Sequence, residues 1–325
     1  SSALTEAAPI LSLAEAACER KQIWETGDWD LGQGRPLHYY SPMRRAGNAL
    51  LLRAEVAHGE GRQAQAAADV KRVLLLADLA LSVRDGSGLD LGIWLRGDAE
   101  ARLIKWAMHE GSDSVWVNEL ASAWSSQTIP DPAVTLRPQL YSWLATMDQL
   151  QTAEGRQRVG VHPEEGYSLL QGNWDDLQTV NEGKLKMVQA FRAMWKGTNE
   201  DWPSSLHRTE RHEAQFIKGA MCDPYAALPF WSVEMVLPFW PHQKIAYLYN
   251  QKTLTEAVIR VLRSSKRDDK VSMAGLASPI DGSRVVLKWA TADVGGGSSN
   301  GARRLHVEYE GDGHGHWSSI FLGQH

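Results

Sequence analysis

Only two cysteines, Cys18 and Cys222, occur in 325 residues, which excludes a small disulfide-stapled scaffold. They lie far apart, and the sequence is equally compatible with one bridge in an oxidising compartment and with two buried thiols. No apolar run approaches the roughly 18 residues that a membrane helix needs, so no transmembrane segment is expected. The formal net charge is −5 and no dense Lys/Arg block is present. That argues against a nucleic-acid partner, because phosphate binding needs a basic stripe. Also missing are a Gly-x-Ser-x-Gly elbow, a dinucleotide fingerprint and a Walker loop. The Gly295–Gly301 stretch GGGSSNG has no following Lys-Ser/Thr and lies between strand-like runs, so it is a hairpin connection and not a phosphate cradle.

What is present is a composition of 43% hydrophobic and 22% charged residues, that of a globular protein able to bury a sizeable core. Fourteen tryptophans stand against five phenylalanines. Large rings with a single N–H suit half-buried gaps between packed helices. They also suit a groove for flat ligands such as sugars, and the two uses are compatible.

The clearest architectural signal runs from Met43 to Val83. Ala46, Leu50, Ala54 and Ala57 recur at helical spacing, with Leu51, Leu52 and Val56 widening the stripe. His58, Gly59, Glu60 and Gly61 break the pattern and predict a cap and turn. Ala66, Val70, Val73, Ala77 and Ala80 then form a second stripe, leaving Arg62, Asp69, Lys71 and Arg72 for the outer face. The small residues resemble the middle of a tetratricopeptide-type repeat, but no second copy follows, so the expectation is an αα-hairpin in an irregular bundle.

Around this pair, periodicity predicts helices over 3–24, from the Asp85–Gly88 turn to about 109, over 114–125, from the Pro130-Asp131-Pro132 breaker to about 152, over 175–196, over 204–220, and from Pro238 to about 265. The segment 153–174, rich in glycine and charge, is expected to be a long surface loop. After residue 265 the texture changes to β-branched and aromatic runs, SRVVLKWA, RRLHVEYE and WSSIFLG. The predicted organisation is mainly α, with a helical domain at 1–265 and a small antiparallel β appendage at 266–325.

This order of parts, with the turn Ser278-Pro279-Ile280-Asp281-Gly282 before the terminal strands, resembles a group of largely helical, exported bacterial proteins of planctomycete type. Their tails carry an Asp-Pro-Phe-x-Gly-type turn. Here Ser278 and Ile280 replace the usual turn residues. The resemblance implies a helical architecture and a periplasmic or extracellular location, and it supplies no catalytic residues. The opening SSALTEAAP is as similar to the start of a mature exported chain as to a trimmed fragment, so export is an expectation.

Candidate chemistry is confined to loops and tail. Glu25, Asp28 and Asp30 alternate with Trp24 and Trp29, a combination that a glycan site can use, since glycoside hydrolysis needs two carboxyl groups flanking a stacked sugar. His306, His314 and His316 form a candidate metal set, because a His-x-His pair can direct both rings to one side. His207 and His212, in one predicted helix with Glu210 and Glu213, are five residues apart, roughly 500° of rotation, and do not stack as a zinc-helix pair does. The expected function is a non-catalytic binding or scaffold subunit of a larger assembly, with another protein as partner and no cofactor. The competing expectation is a carbohydrate-active enzyme or glycan binder built on the Trp24–Asp30 loop.

Overall fold

The computed structural model describes residues 2–20, 38–83, 86–110, 114–158, 176–197, 239–263, 273, 275–278, 283–291, 303–309 and 320–322. Among them the chain is mainly α-helical. The helices are α1 (Ser2–Cys18), α2 (Tyr40–Gly59), α3 (Gln63–Ser82), α4 (Gly86–Glu110), α5 (Val115–Ser125), α6 (Pro132–Leu150), α7 (Ala153–Arg158), α8 (Leu177–Gly197) and α9 (Phe239–Arg263). Three strands follow, β1 (Val285–Thr291), β2 (Arg303–Tyr309) and β3 (Ile320–Leu322), paired antiparallel in the order β1-β2-β3. No helix among the described residues is long and apolar enough to cross a membrane.

The predicted hairpin is α2–α3. Ala54, Ala57, Ala66, Val70, Val73 and Ala77 are all fully buried, as their spacing requires. Burying each such valine, or the neighbouring Leu50, contributes about 1.5–3 kcal/mol. The turn is a Schellman motif: the Gly61 N–H donates to the His58 carbonyl (3.0 Å) and the Arg62 N–H to the Ala57 carbonyl (2.8 Å). Gly61 sits at φ +77°, a conformation that a side chain disfavours. Two other glycines set interhelical distances. A Cβ on Gly92 of α4 would lie 2.6 Å from the Leu81 side chain of α3, and one on Gly47 of α2 would lie 2.3 Å from Leu95 of α4.

Helices α1 to α5 share one hydrophobic core in which Leu50, Leu74, Leu95, Leu103, Trp106, Leu120 and Trp124 are closed off from water. Helix α9, far along the chain, lies on this bundle in two places. Ile245 and Leu248 pack with Leu81 and Leu89, and Leu254, Ala257, Val258 and Val261 pack with Ile104 of α4. The same α9 residues receive Leu276, Val285 and Val307, so the C-terminal strands rest on α9. An antiparallel bridge between Ala277 and Arg284 precedes β1, with the Ser278 N–H donating to the Ser283 carbonyl (2.8 Å) and the Ser278 hydroxyl to Asn250 Oδ1 (2.9 Å).

Five local expectations are corrected. Asp69 does not face outward: it is fully buried, because two arginines reach it. Leu52 is 43% exposed, so the first stripe is narrower than predicted. The first helix stops at Cys18, not 24, and α4 takes up Gly86 to Gly88 as its first turn. The expected loop after 152 opens with α7, whose Gly155 N–H is accepted by Thr152 Oγ1 (3.0 Å), a side-chain N-cap, with Glu154 favourably placed in the first turn.

Candidate functional site

A polar group withdrawn from water must find a partner, so buried ionisable side chains mark the places where a helical bundle does more than pack. Two such places stand out among the described residues. The first joins α1, α2 and α3. Arg53 grips Asp69 with both arms of its guanidinium, Nε to Oδ2 at 2.8 Å and Nη2 to Oδ1 at 2.7 Å. Arg72, one turn along α3, donates to Oδ1 at 2.7 Å, and Arg53 also reaches Glu15 of α1 at 2.7 Å. The bond from Arg53 holds the Glu15 carboxyl below the usual carboxylate range, outweighing its partial burial. A bidentate pair of this kind fixes the relative rotation of α2 and α3.

The second place is a seam where α4, α9 and the Gln127–Thr128 linker meet. Arg96 and Glu100, only 4% and 3% exposed, are four residues apart on α4 and share one face. On α9, Gln251 and Thr255 have the same spacing. Glu100 Oε1 accepts from Gln251 Nε2 (2.7 Å) and from the Thr255 hydroxyl. The linker closes the far side: Gln127 Nε2 donates to Asp78 Oδ2 of α3 (2.7 Å), its carbonyl accepts from Lys252 Nζ (3.5 Å), and the Thr128 carbonyl accepts from Arg96 Nη1 (3.4 Å).

Burial dominates the electrostatics of this seam. It pushes the Glu100 carboxyl up to about 7, against the two donors on α9 and the charge of Arg96, which favour the ionised form. It likewise raises Asp78 and lowers Arg96 from their ordinary values, each partly offset by the other's charge. A small cleft of about 10 Å³ runs alongside, lined among others by Arg96, Glu100, Trp124, Gln251 and Lys252. It has room for one water-sized molecule. Trp124 Nε1 and Gln251 Oε1, buried and without a hydrogen-bond partner among the described residues, belong to its wall and are groups that such a molecule bridges well.

Sequence spacing did not single out this seam. Its sequence trace is Arg96 and Glu100 riding beside the apolar positions Leu95, Ala99 and Leu103, so that two charges fall on the flank of a buried stripe. The partners that explain them lie 151 and 155 residues away.

The residues that sequence reasoning did single out fall mostly elsewhere. Trp24, Glu25, Asp28, Trp29 and Asp30 lie outside the described residues, as do His207, Glu210, His212, Glu213, Cys222, His314 and His316. His306 is on β2, opposite Lys288 of β1 and Phe321 of β3. No three His, Cys, Asp or Glu side chains gather as a metal set among the described residues. Cys18 is a free thiol at 3.4 Å from the Arg72 carbonyl, and burial pushes its pKa up to about 11, which leaves it a poor nucleophile at neutral pH.

Of the tryptophans, Trp106 and Trp124 are closed into the core, and Trp94 and Trp116 pack against it. Trp106 stacks on the His58 ring at 4.6 Å between centroids and 4° between planes, with Trp116 edge-on to both. For these four the ring is packing material. Compared with protein-family models, curated proteins and solved structures, the chain matches none of them.

Proposed function

We propose that the chain is a non-catalytic, helical binding or scaffold subunit of a larger assembly, working outside the cytoplasm. The observation that carries this reading is the use made of the buried charges. Asp69 and Glu100 are each taken up in bonds from one helix to another, Arg96 is bonded to the linker carbonyl of Thr128, and the cleft beside the seam admits only a water-sized molecule. A catalytic carboxylate needs a substrate-sized space beside it. Stacked helix pairs instead offer long faces to a macromolecular partner. The extracytoplasmic location rests on the resemblance of the sequence to exported planctomycete-type proteins.

The test is isolation of the chain at native expression, followed by light scattering on the eluted species. A particle of fixed stoichiometry, heavier than the 36.1 kDa chain and containing a second polypeptide, is the expected result. A 36.1 kDa monomer with no companion overturns the proposal.

A further inference from the structure

We infer that the outward face of α1 is a docking surface for a second copy of this chain, the two α1 helices packing antiparallel about a two-fold axis at Leu13. Helix α1 packs on α2 and α3, and it is apolar on both sides. Its inward stripe, Leu11 and Ala14 with Ala7 and Cys18 beside them, joins the shared core. On the opposite side Glu6, Pro9, Leu13, Ala16 and Arg20 are all exposed, and Leu13 is 71% open to solvent. Their spacing of three, four, three and four residues is that of a coiled-coil seam, so they form one strip along the helix. Arg20 lies just beyond α1, and its N–H donates to the Ala17 carbonyl (3.0 Å), which carries the last turn on to it. The middle of the strip is apolar and its two ends are charged.

The order of the charges names the occupant. Glu6 and Arg20 each stand seven residues from Leu13, about 10 Å to either side along the helix axis. With two copies antiparallel and Leu13 against Leu13, Glu6 of each chain meets Arg20 of the other, and Pro9 meets the small Ala16. A parallel pairing would instead set Glu6 on Glu6 and Arg20 on Arg20. Neither side chain has an ion-pair partner among the described residues, so both are available. The face is thus self-complementary, as a two-fold interface requires. An anionic membrane is a poorer occupant, since Glu6 and Glu19 on the exposed side outnumber Arg20. A helix face about 25 Å long and about 10 Å wide falls short of the roughly 800 Å² per partner of a standard interface, so association is expected at roughly 10–100 μM. Pairing of this kind needs no second polypeptide and stands apart from the binding role proposed above.

Sedimentation equilibrium of the full chain from about 1 to about 500 μM, a range that brackets the expected affinity, tests this. The average mass should rise from 36.1 kDa towards twice that value. Leu13→Asp places two like charges on the axis and should keep the chain monomeric throughout. Because Leu13 is exposed, the thermal midpoint of that variant at the dilute end should match the wild type. Glu6→Arg and Arg20→Glu should each weaken association about tenfold, since two attractions become two repulsions. The double variant Glu6→Arg/Arg20→Glu should restore it. Three outcomes overturn the pairing: a mass fixed at 36.1 kDa over the whole range, an association that Leu13→Asp leaves intact, or a double variant no tighter than the single ones. A monomeric chain that floats with phosphatidylglycerol-containing vesicles would assign the face to lipid and overturn it as well.

Discussion

Single residues in this bundle divide by what a change of one group would meet. Gly92 and Gly97 lie on the same helix, five residues apart. A methyl at 92 meets Leu81 at 2.6 Å and the Ala77 carbonyl at 3.2 Å, whereas at 97 nothing lies within 4 Å. Gly92→Ala should therefore destabilise by about 1–3 kcal/mol, and Gly97→Ala should stabilise by about 0.5–1 kcal/mol. Urea unfolding of the two variants side by side reads both signs. The hairpin ion cluster behaves in the same selective way. Asp69→Ala strips a fully buried carboxylate from Arg53 and Arg72 and should cost about 2–3 kcal/mol. Glu15→Ala removes a side chain 43% exposed and should cost less than about 1 kcal/mol. Equal losses from these two would contradict the assignment of Asp69 as the centre of the cluster.

At the scale of the element, α9 is the piece that joins the molecule. It reaches the bundle through Leu254, Val258 and Val261, and the strands through the same residues. Leu254→Ala should destabilise by about 2–5 kcal/mol. Its hydrogen-exchange signature should extend to both α9 and β1, since one cluster serves them. Loss of protection confined to α9 would show that the strands do not depend on it. The helices themselves were legible in the sequence where the apolar period was long. The Ala66-Val70-Val73-Ala77 stripe and the glycine turn after Ala57 stand where spacing put them. The short α7 was not legible, because six residues are too few for a period and its start depends on a threonine cap. The partners of polar residues were less legible still. Asp69 on an otherwise polar flank looks solvated until Arg53, on the opposite helix, is seen to face it, and Glu100 is explained only by Gln251 and Thr255. Periodicity reports which face of a helix is apolar; it carries no information about which distant helix will supply a donor.

On the scale of the whole molecule, the two polar ties and the hydrophobic clusters among the described residues make a bundle whose buried polar side chains tie helix to helix. Because burial raises the Glu100 carboxyl from its free value to about 7, its contribution to global stability is largest in mild acid and declines as pH rises through about 7. Thermal unfolding midpoints should accordingly be higher at pH 5.5 than at pH 8.5, and Glu100→Gln should flatten that difference. The proposed role, binding another macromolecule, is tested most directly by native mass spectrometry of the wild type and of Glu100→Gln, each isolated at native expression. The account predicts the same stoichiometric complex for both, since it assigns the Glu100 carboxyl to a bond between helices. A companionless 36.1 kDa monomer that turns over a substrate, and loses that turnover in Glu100→Gln, would contradict it.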